Sequence, residues 1–306
     1  MRGSALLFGI GLTLIASSCG KKPADGAGTA SSVAPAQPTQ QVFQVKGTII
    51  ELQPEEKSVR IKHEEIPGYM AAMTMSFDVR NTNELAGLEA GDTVAFRMTV
   101  TETDGWIDQI KRLNLSRTNT LPMTGPFRFV RDVDPLNIGD ALPEYHFTNQ
   151  LGQAVSLSQF RGQALAITFI FTRCPYPTFC PLMAGNFEKV QQQLLTTPNA
   201  ATNWHLLTIS FDPEWDTPPR LKAFAERYHC DPRHWSFLTG TLIDITAITE
   251  QFGQQFWREG PDQSISHNLR TVVVDARGRV QAIIRENKWK PEELTAEILK
   301  AATVKE

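Results

Sequence analysis

The stretch ALAITFIFTRCPYPTFCPLM, residues 164–183, decides how the larger part of this chain is read. Residues 164–172 are apolar apart from two threonines and read as a buried strand. Past residue 182 the period changes. Met183, Phe187, Val190 and Leu194 recur at spacings of four, three and four, which makes one apolar face of a helix over 182–196. Between the two elements Cys174 leaves the strand end, and Cys180 stands directly before Pro181, a residue favoured at the first helical position. Cys180 is therefore expected near a helix N-terminus, where the dipole and open N–H groups favour a thiolate. Pro175 and Pro177 stiffen the five residues between the cysteines.

Outward from this turn, strand and helix patterns alternate. Strands are expected at 145–149, 204–211, 269–275 and 280–285, and helices near 220–228, 243–256 and 291–302. Alternation around a buried strand defines a layered α/β sheet. A dithiol at a strand-to-helix turn suits disulfide exchange or a metal, so a third residue matters. His267, in EGPDQSISHN before the strand at 269–275, is the candidate. Two thiolates and an imidazole are a donor set that copper accepts in both oxidation states. Other clusters are set aside. His229, Cys230 and His234 follow a helix end beside Pro232, and Cys230 is the thiol left over once Cys174 and Cys180 pair. His146 and His205 fall in strand patterns, and Asp212 and Asp216 shape a turn around Pro213 and Pro218.

Upstream, residues 42–113 carry a different pattern. VFQVKGTIIEL, SVRIKH, AMTMSFDV, TVAFRMTVTE and WIDQIKRL are β-rich runs separated by Gly, Pro, Asn and Asp turn signals. Five short strands in so few residues suggest an all-β barrel, because closure removes exposed edges. Val59, Ile61 and His63 alternate onto one face of their strand, and Met73, Met75 and Phe77 onto one face of the next. Methionines in a barrel commonly fill core gaps. Two thioethers and an imidazole are also soft, neutral ligands suited to Cu(I) or Ag(I).

The N-terminus, MRGSALLFGIGLTLIASSCG, has a basic residue and then 12 apolar-rich positions, 5–16. That is short of the roughly 20 needed to span a bilayer and fits an export signal over 1–19. Small residues before Cys19 make it the candidate lipidation site of a lipoprotein, and two or more acyl chains would hold the protein on a membrane. Residues 20–41, rich in Ala, Pro, Ser, Thr and Gly, read as a flexible tether, and 115–137 as a linker. The folded parts, 42–114 and 138–306, are then expected in the periplasm. The chain of 306 residues has a net charge of −3 and four cysteines. Neither a nucleic-acid partner nor a disulfide-stapled scaffold fits those counts.

The segment HEEIPGYMAAMTMSF, residues 63–77, resembles the CusF-like periplasmic copper-binding domain, and the likeness extends over about 42–114. It implies a five-stranded OB-type barrel binding Cu(I) through His63, Met73 and Met75. That family carries a Trp three residues before the first Met. Here the position is Met70, the candidate for a third thioether. GDALPEYHFTNQLGQAVSLSQFRG (139–162), FTRCP with the following CP, SFDPEWDTP (210–218), WSFLTG (235–240) and SHNLRTVVVDARGRV (266–280) together resemble the Sco (SenC) family. This resemblance implies a thioredoxin-like fold and copper, as Cu(I) or Cu(II), on Cys174, Cys180 and His267. It also implies delivery of copper to, or reduction of cysteines in, the dinuclear copper site of cytochrome oxidase or another periplasmic cuproprotein. Members usually have three residues between the cysteines; this chain has five. Two other functions stay open: a thiol–disulfide oxidoreductase using Cys174 and Cys180 as a redox pair, and a periplasmic copper buffer or resistance protein.

Overall fold

The computed structural model describes residues 40–114, 133–259 and 264–304. The expected signal segment, Cys19, nearly all of the tether and residues 115–132 of the linker lie outside the described residues.

The five β-rich runs form β1 (Gln41–Gln53), β2 (Ser58–His63), β3 (Met73–Asp78), β4 (Thr93–Val100) and β5 (Gly105–Asn114). They make one antiparallel sheet in the order β3-β2-β1-β4-β5. Its two edges meet at a single parallel bridge, Val79 to Ile107, where the Arg80 N–H also donates to the Ile107 carbonyl at 3.0 Å. The alternation read from the sequence sets the inner face. Val59, Ile61, Met75 and Phe77 are buried with Phe96 and Ile107. Gly47 pairs with His63 across β1 and β2. A Cβ at Gly47 would sit 2.5 Å from Ile61 Cγ2 and 2.6 Å from the Lys62 carbonyl oxygen, so only glycine lets the strands pass this closely.

The second sheet runs β14-β13-β8-β9-β10-β6-β7. Its centre is parallel: β8 (Ala164–Ile170), β9 (Trp204–Ser210) and β10 (Trp235–Thr239). Antiparallel β13 (Arg270–Val274) and β14 (Val280–Arg285) flank one side, β6 (His146–Asn149) and β7 (Ala154–Ser156) the other. Helix α1 (Cys180–Thr196) packs with α4 (Pro291–Ala302) near β8, and α2 (Pro218–Arg227) lies on β10. All seven residues of β8 are buried, as are Met183, Phe187, Val190 and Leu194 on α1. This is a thioredoxin-like sheet preceded by a small all-β sheet.

Two expectations change. Helix α1 starts at Cys180 itself, two residues early. The helix expected over 243–256 is α3 (Leu242–Gln251), stopped where Gly253 takes a φ of +67° that a glycine supplies at little cost. Residues Phe256–Glu259 instead form β11, paired with β12 (Ser264–His267) in a two-stranded sheet. His267 thus sits on a strand rather than in a loop.

The expectation that His146 and His205 are structural agrees with their surroundings. His146 meets Ser156 across the β6–β7 pair at 2.9 Å. His205 is buried on β9, with Nε2 at 2.9 Å from Ser236 Oγ and its ring against Phe160. Burial, with a smaller contribution from His234, lowers its pKa to about 4. An unfolded histidine titrates near 6.5, so the folded state resists protonation. The resulting stability is present above that pH and is lost as pH falls toward 4, by about 3 kcal/mol. In urea unfolding between pH 7 and pH 4, His205→Gln is expected to lose that much less stability than the parent. Equal losses would rule out His205 as the titrating group.

Candidate metal centre

Each donor of the dithiol turn is placed by the element that ends there. Strand β8 delivers the chain to Phe171, and the turn after it carries Cys174, partly exposed. Cys180 is fully buried at the first residue of α1, where its sulfur accepts from the Phe171 N–H at 3.5 Å. His267 ends β12, buried among the rings of Phe171, Phe179 and Phe211. One donor atom from each of Cys174, Cys180 and His267 lies within 4.8 Å of the others. Among the described residues this is the one His/Cys/Asp/Glu group so gathered.

The histidine is oriented by its backbone. Nδ1 lies 2.8 Å from the Asn268 carbonyl oxygen, which can only accept, so Nδ1 donates there and Nε2 is left as the ring atom available to a sulfur or a metal. His63 repeats the device, its Nδ1 donating to the Glu64 carbonyl at 2.7 Å.

The two thiols are unequal. Burial raises the Cys174 thiol, but hydrogen bonds from Cys180 and His267 and the imidazole's charge outweigh it, holding Cys174 well below the ordinary range. Burial pushes Cys180 well above that range, and the neighbouring Cys174 sulfur adds to the shift. Of the two, Cys174 is the more acidic thiol, and Cys180, at the helix N-terminus, is the one whose complete burial opposes ionisation.

Behind the turn lie two aspartates that were read only as turn formers. Asp216 accepts from the Thr172 N–H at 3.0 Å, from the Thr172 hydroxyl and from Ser210 Oγ at 2.5 Å. Burial still raises its pKa. Asp212, fully buried, joins Arg173 Nε at 2.8 Å to Arg258 Nη2 at 2.7 Å. Arg173 precedes Cys174, and Arg258 belongs to β11, whose Phe256 pairs with His267. Both aspartates therefore brace the donors. The sequence marked Arg173 only by its place beside Cys174, and nothing in it linked Arg173 or Arg258 to residue 212.

In the smaller sheet, His63 and Met73 are direct cross-strand partners, and Met75 opposes Ile61. Residues alternating along a strand share a face, so His63, Met73 and Met75 are on one side, all buried. Met70 is buried one turn earlier, its backbone bridging Ile66. The residues set aside do not converge. His229 meets Glu188, the His234 ring stacks on Trp204, and the Cys230 thiol donates to the Trp235 carbonyl at 3.2 Å. Burial, then Asp231, pushes Cys230 up to about 12, an inert packing thiol.

A thioredoxin-like domain with two cysteines at its first strand-to-helix turn and a histidine facing them defines a class of dithiol proteins. The chain belongs to the SCO1/SenC family, whose model matches residues 135–303. A second model, that of the copper binding periplasmic protein CusF, matches residues 42–112. The SCO1 protein homolog of Bacillus subtilis is 35% identical over 155 residues, spanning 48% of this chain and 74% of that one. Among solved structures, a SCO1/SenC family lipoprotein from Bacillus anthracis is 26% identical with a TM-score of 0.48, covering 55% of this chain and 97% of its own. Bradyrhizobium japonicum ScoI, solved with copper bound, is 25% identical with a TM-score of 0.45, covering 54% and 99%.

Proposed function

We propose that this protein is an extracytoplasmic copper chaperone with two copper sites, held to a membrane through a lipid on Cys19. The observation that carries the reading is the convergence of Cys174, Cys180 and His267 within 4.8 Å. Two cysteine sulfurs and an imidazole supply a soft-to-borderline set suited to copper in either oxidation state. His63, Met73 and Met75 would hold Cu(I) without redox chemistry, Met70 being the nearest further thioether in sequence. Support comes from family membership, from the CusF match and from the copper-bound relative. The cargo is expected to go to the dinuclear copper site of cytochrome oxidase or another periplasmic cuproprotein. Among the described residues no helix is long and apolar enough to cross a membrane. Attachment through Cys19 rests on the small residues and apolar run that precede it in the sequence.

Native mass spectrometry of the full chain with excess Cu(I) is expected to show two copper ions. With Cys174→Ser and Cys180→Ser together, one should remain. An unchanged count would remove the dithiol from the copper site. A second reading, thiol–disulfide reductase, is favoured by the unequal pair, since a low-pKa attacking thiol beside a protonated one is a reductase arrangement. Disulfide turnover lost in Cys174→Ser and retained in His267→Ala would favour that reading.

A further inference from the structure

The smaller sheet is seated on the dithiol turn. On one side the Tyr69 hydroxyl donates to the carbonyl of Pro175, inside the inter-cysteine loop, at 3.2 Å. On the other, the N–H of Thr74, the residue between Met73 and Met75, donates to Ser266 Oγ at 2.7 Å, and Ser266 precedes His267. Between these contacts Tyr176, from the middle of the loop, is inserted into the small sheet and is only 1% exposed. Its ring meets Phe77 edge-on at 6.0 Å. Gly105 forms the floor of that socket: a Cβ there would stand 2.8 Å from Tyr176 Oη and 2.9 Å from Cζ.

The contact aligns the two histidines. From His63 the ring contacts run to Phe77 at 5.6 Å, to Tyr176, to Phe179 at 5.4 Å and to His267 at 5.5 Å. His63, Met75 and His267 are buried along this path. The loop that delivers Tyr176 is the five-residue stretch between the two cysteines. It serves both sheets: Phe179 packs edge-on against His267, the Thr178 carbonyl accepts from Asn287 Nδ2 at 2.6 Å, and Tyr176 reaches the neighbouring sheet.

The geometry points to an intramolecular copper relay: Cu(I) captured by His63, Met73 and Met75 passes to Cys174, Cys180 and His267 of the same chain while the small sheet is docked, without release to solvent. This inference rests on the two-site copper reading above. Copper stays Cu(I) throughout. Its bonds to the two thioethers and the His63 imidazole break, bonds to the two sulfurs and His267 form, and the Cys180 proton passes to water. The direction follows from donor chemistry, because an anionic thiolate holds Cu(I) more tightly than a neutral thioether.

The test starts from the full chain with Cys174 and Cys180 oxidised to a disulfide and one Cu(I) loaded without oxygen. Excess phosphine opens the disulfide, and the ultraviolet absorption of Cu(I)–thiolate bonds reports arrival. In the parent, the absorption is expected to rise as a first-order process whose rate is unchanged on dilution. Gly105→Leu fills the socket and leaves both donor sets in place. The two sheets there remain on one chain, at an effective concentration of ~1 mM, so transfer at ~10 μM protein should stay independent of dilution and run slower than in the parent. Tyr176→Ala, which empties the socket from the loop side, should behave likewise. Copper that fails to bind the oxidised protein, or a stoichiometry below two after reduction, overturns the two-site reading and the relay with it. A stoichiometry of two with a parent rate that falls on dilution, or with a Gly105→Leu rate equal to the parent's, overturns the relay alone.

Discussion

At pH 7, iodoacetamide is expected to modify one cysteine of the reduced, metal-free protein, and that cysteine is Cys174. An ordinary thiol with a pKa near 8.5 is about 3% thiolate at this pH, and only the thiolate attacks. Cys174 is held well below the ordinary range by Cys180 and His267, so a larger share of it is thiolate. Lower basicity reduces intrinsic nucleophilicity, so the advantage in rate is smaller than the gain in thiolate. Cys180 is buried with its thiol pushed up, and Cys230 is pushed up to about 12. The profile discriminates as well as the rate. From pH 9 down to 7 the Cys174 rate should fall less steeply than that of an ordinary thiol, which slows toward tenfold per unit. His267→Ala removes a contact that lowers the Cys174 pKa and should restore part of that slope. Peptide mapping that finds Cys180 modified first would reverse the assignment of the two thiols.

That assignment marks where the sequence stops being sufficient. Periodicity located β8 and α1, because a run of apolar residues and a four-three-four repeat are local properties of the chain. The alternation of Val59, Ile61 and His63 and of Met73, Met75 and Phe77 likewise placed their faces before any pairing was known. Cys174, Cys180 and His267 were nameable because the turn chemistry and the family motifs mark them. What stayed hidden depends on contacts between distant segments. The order of thiol acidities is set by how deeply Cys180 is buried and by which neighbours reach Cys174. Strands β7, β10, β11 and β12 were invisible because runs of three to five residues carry too little period, β6 being marked by the Gly turn after it, and the apolar residues of α3 run on past its glycine stop. Tyr176 gave one cue, an aromatic residue between two prolines in a polar turn, but its socket at Gly105 lies 71 positions away.

Asp212→Ala is the substitution expected to disturb the site most without touching a donor. The carboxylate is fully buried, while its partners Arg173 and Arg258 have side chains 33% and 29% exposed. Truncating the anion removes the closest partner of both guanidinium groups, leaving Arg258 its longer pair with Glu214 at 3.5 Å and Arg173 its stack on Trp215. Breaking a buried pair costs about 3–5 kcal/mol, and these remaining contacts with the partial exposure of both arginines move this protein to the lower end, about 3 kcal/mol. For a domain of this size that corresponds to a fall of roughly 10 °C in Tm. Removing either arginine should cost less, because each is partly solvated already and the carboxylate keeps the other. The effect on the metal site follows from connectivity. Arg173 anchors the residue before Cys174, and Arg258 anchors the strand paired with His267, so one carboxylate fixes two of the three donors. Loss of such a brace behind metal ligands typically weakens metal affinity by 10–100-fold. Competition with a Cu(I) chelator should show a loss of that size at the dithiol site of Asp212→Ala, with the count of two copper ions retained at saturation. Asp212→Asn, which keeps the shape and one acceptor, should fall between. A variant that loses its stability and keeps full copper affinity would confine Asp212 to holding the fold, leaving the donors to be positioned by β8, α1 and β12 alone.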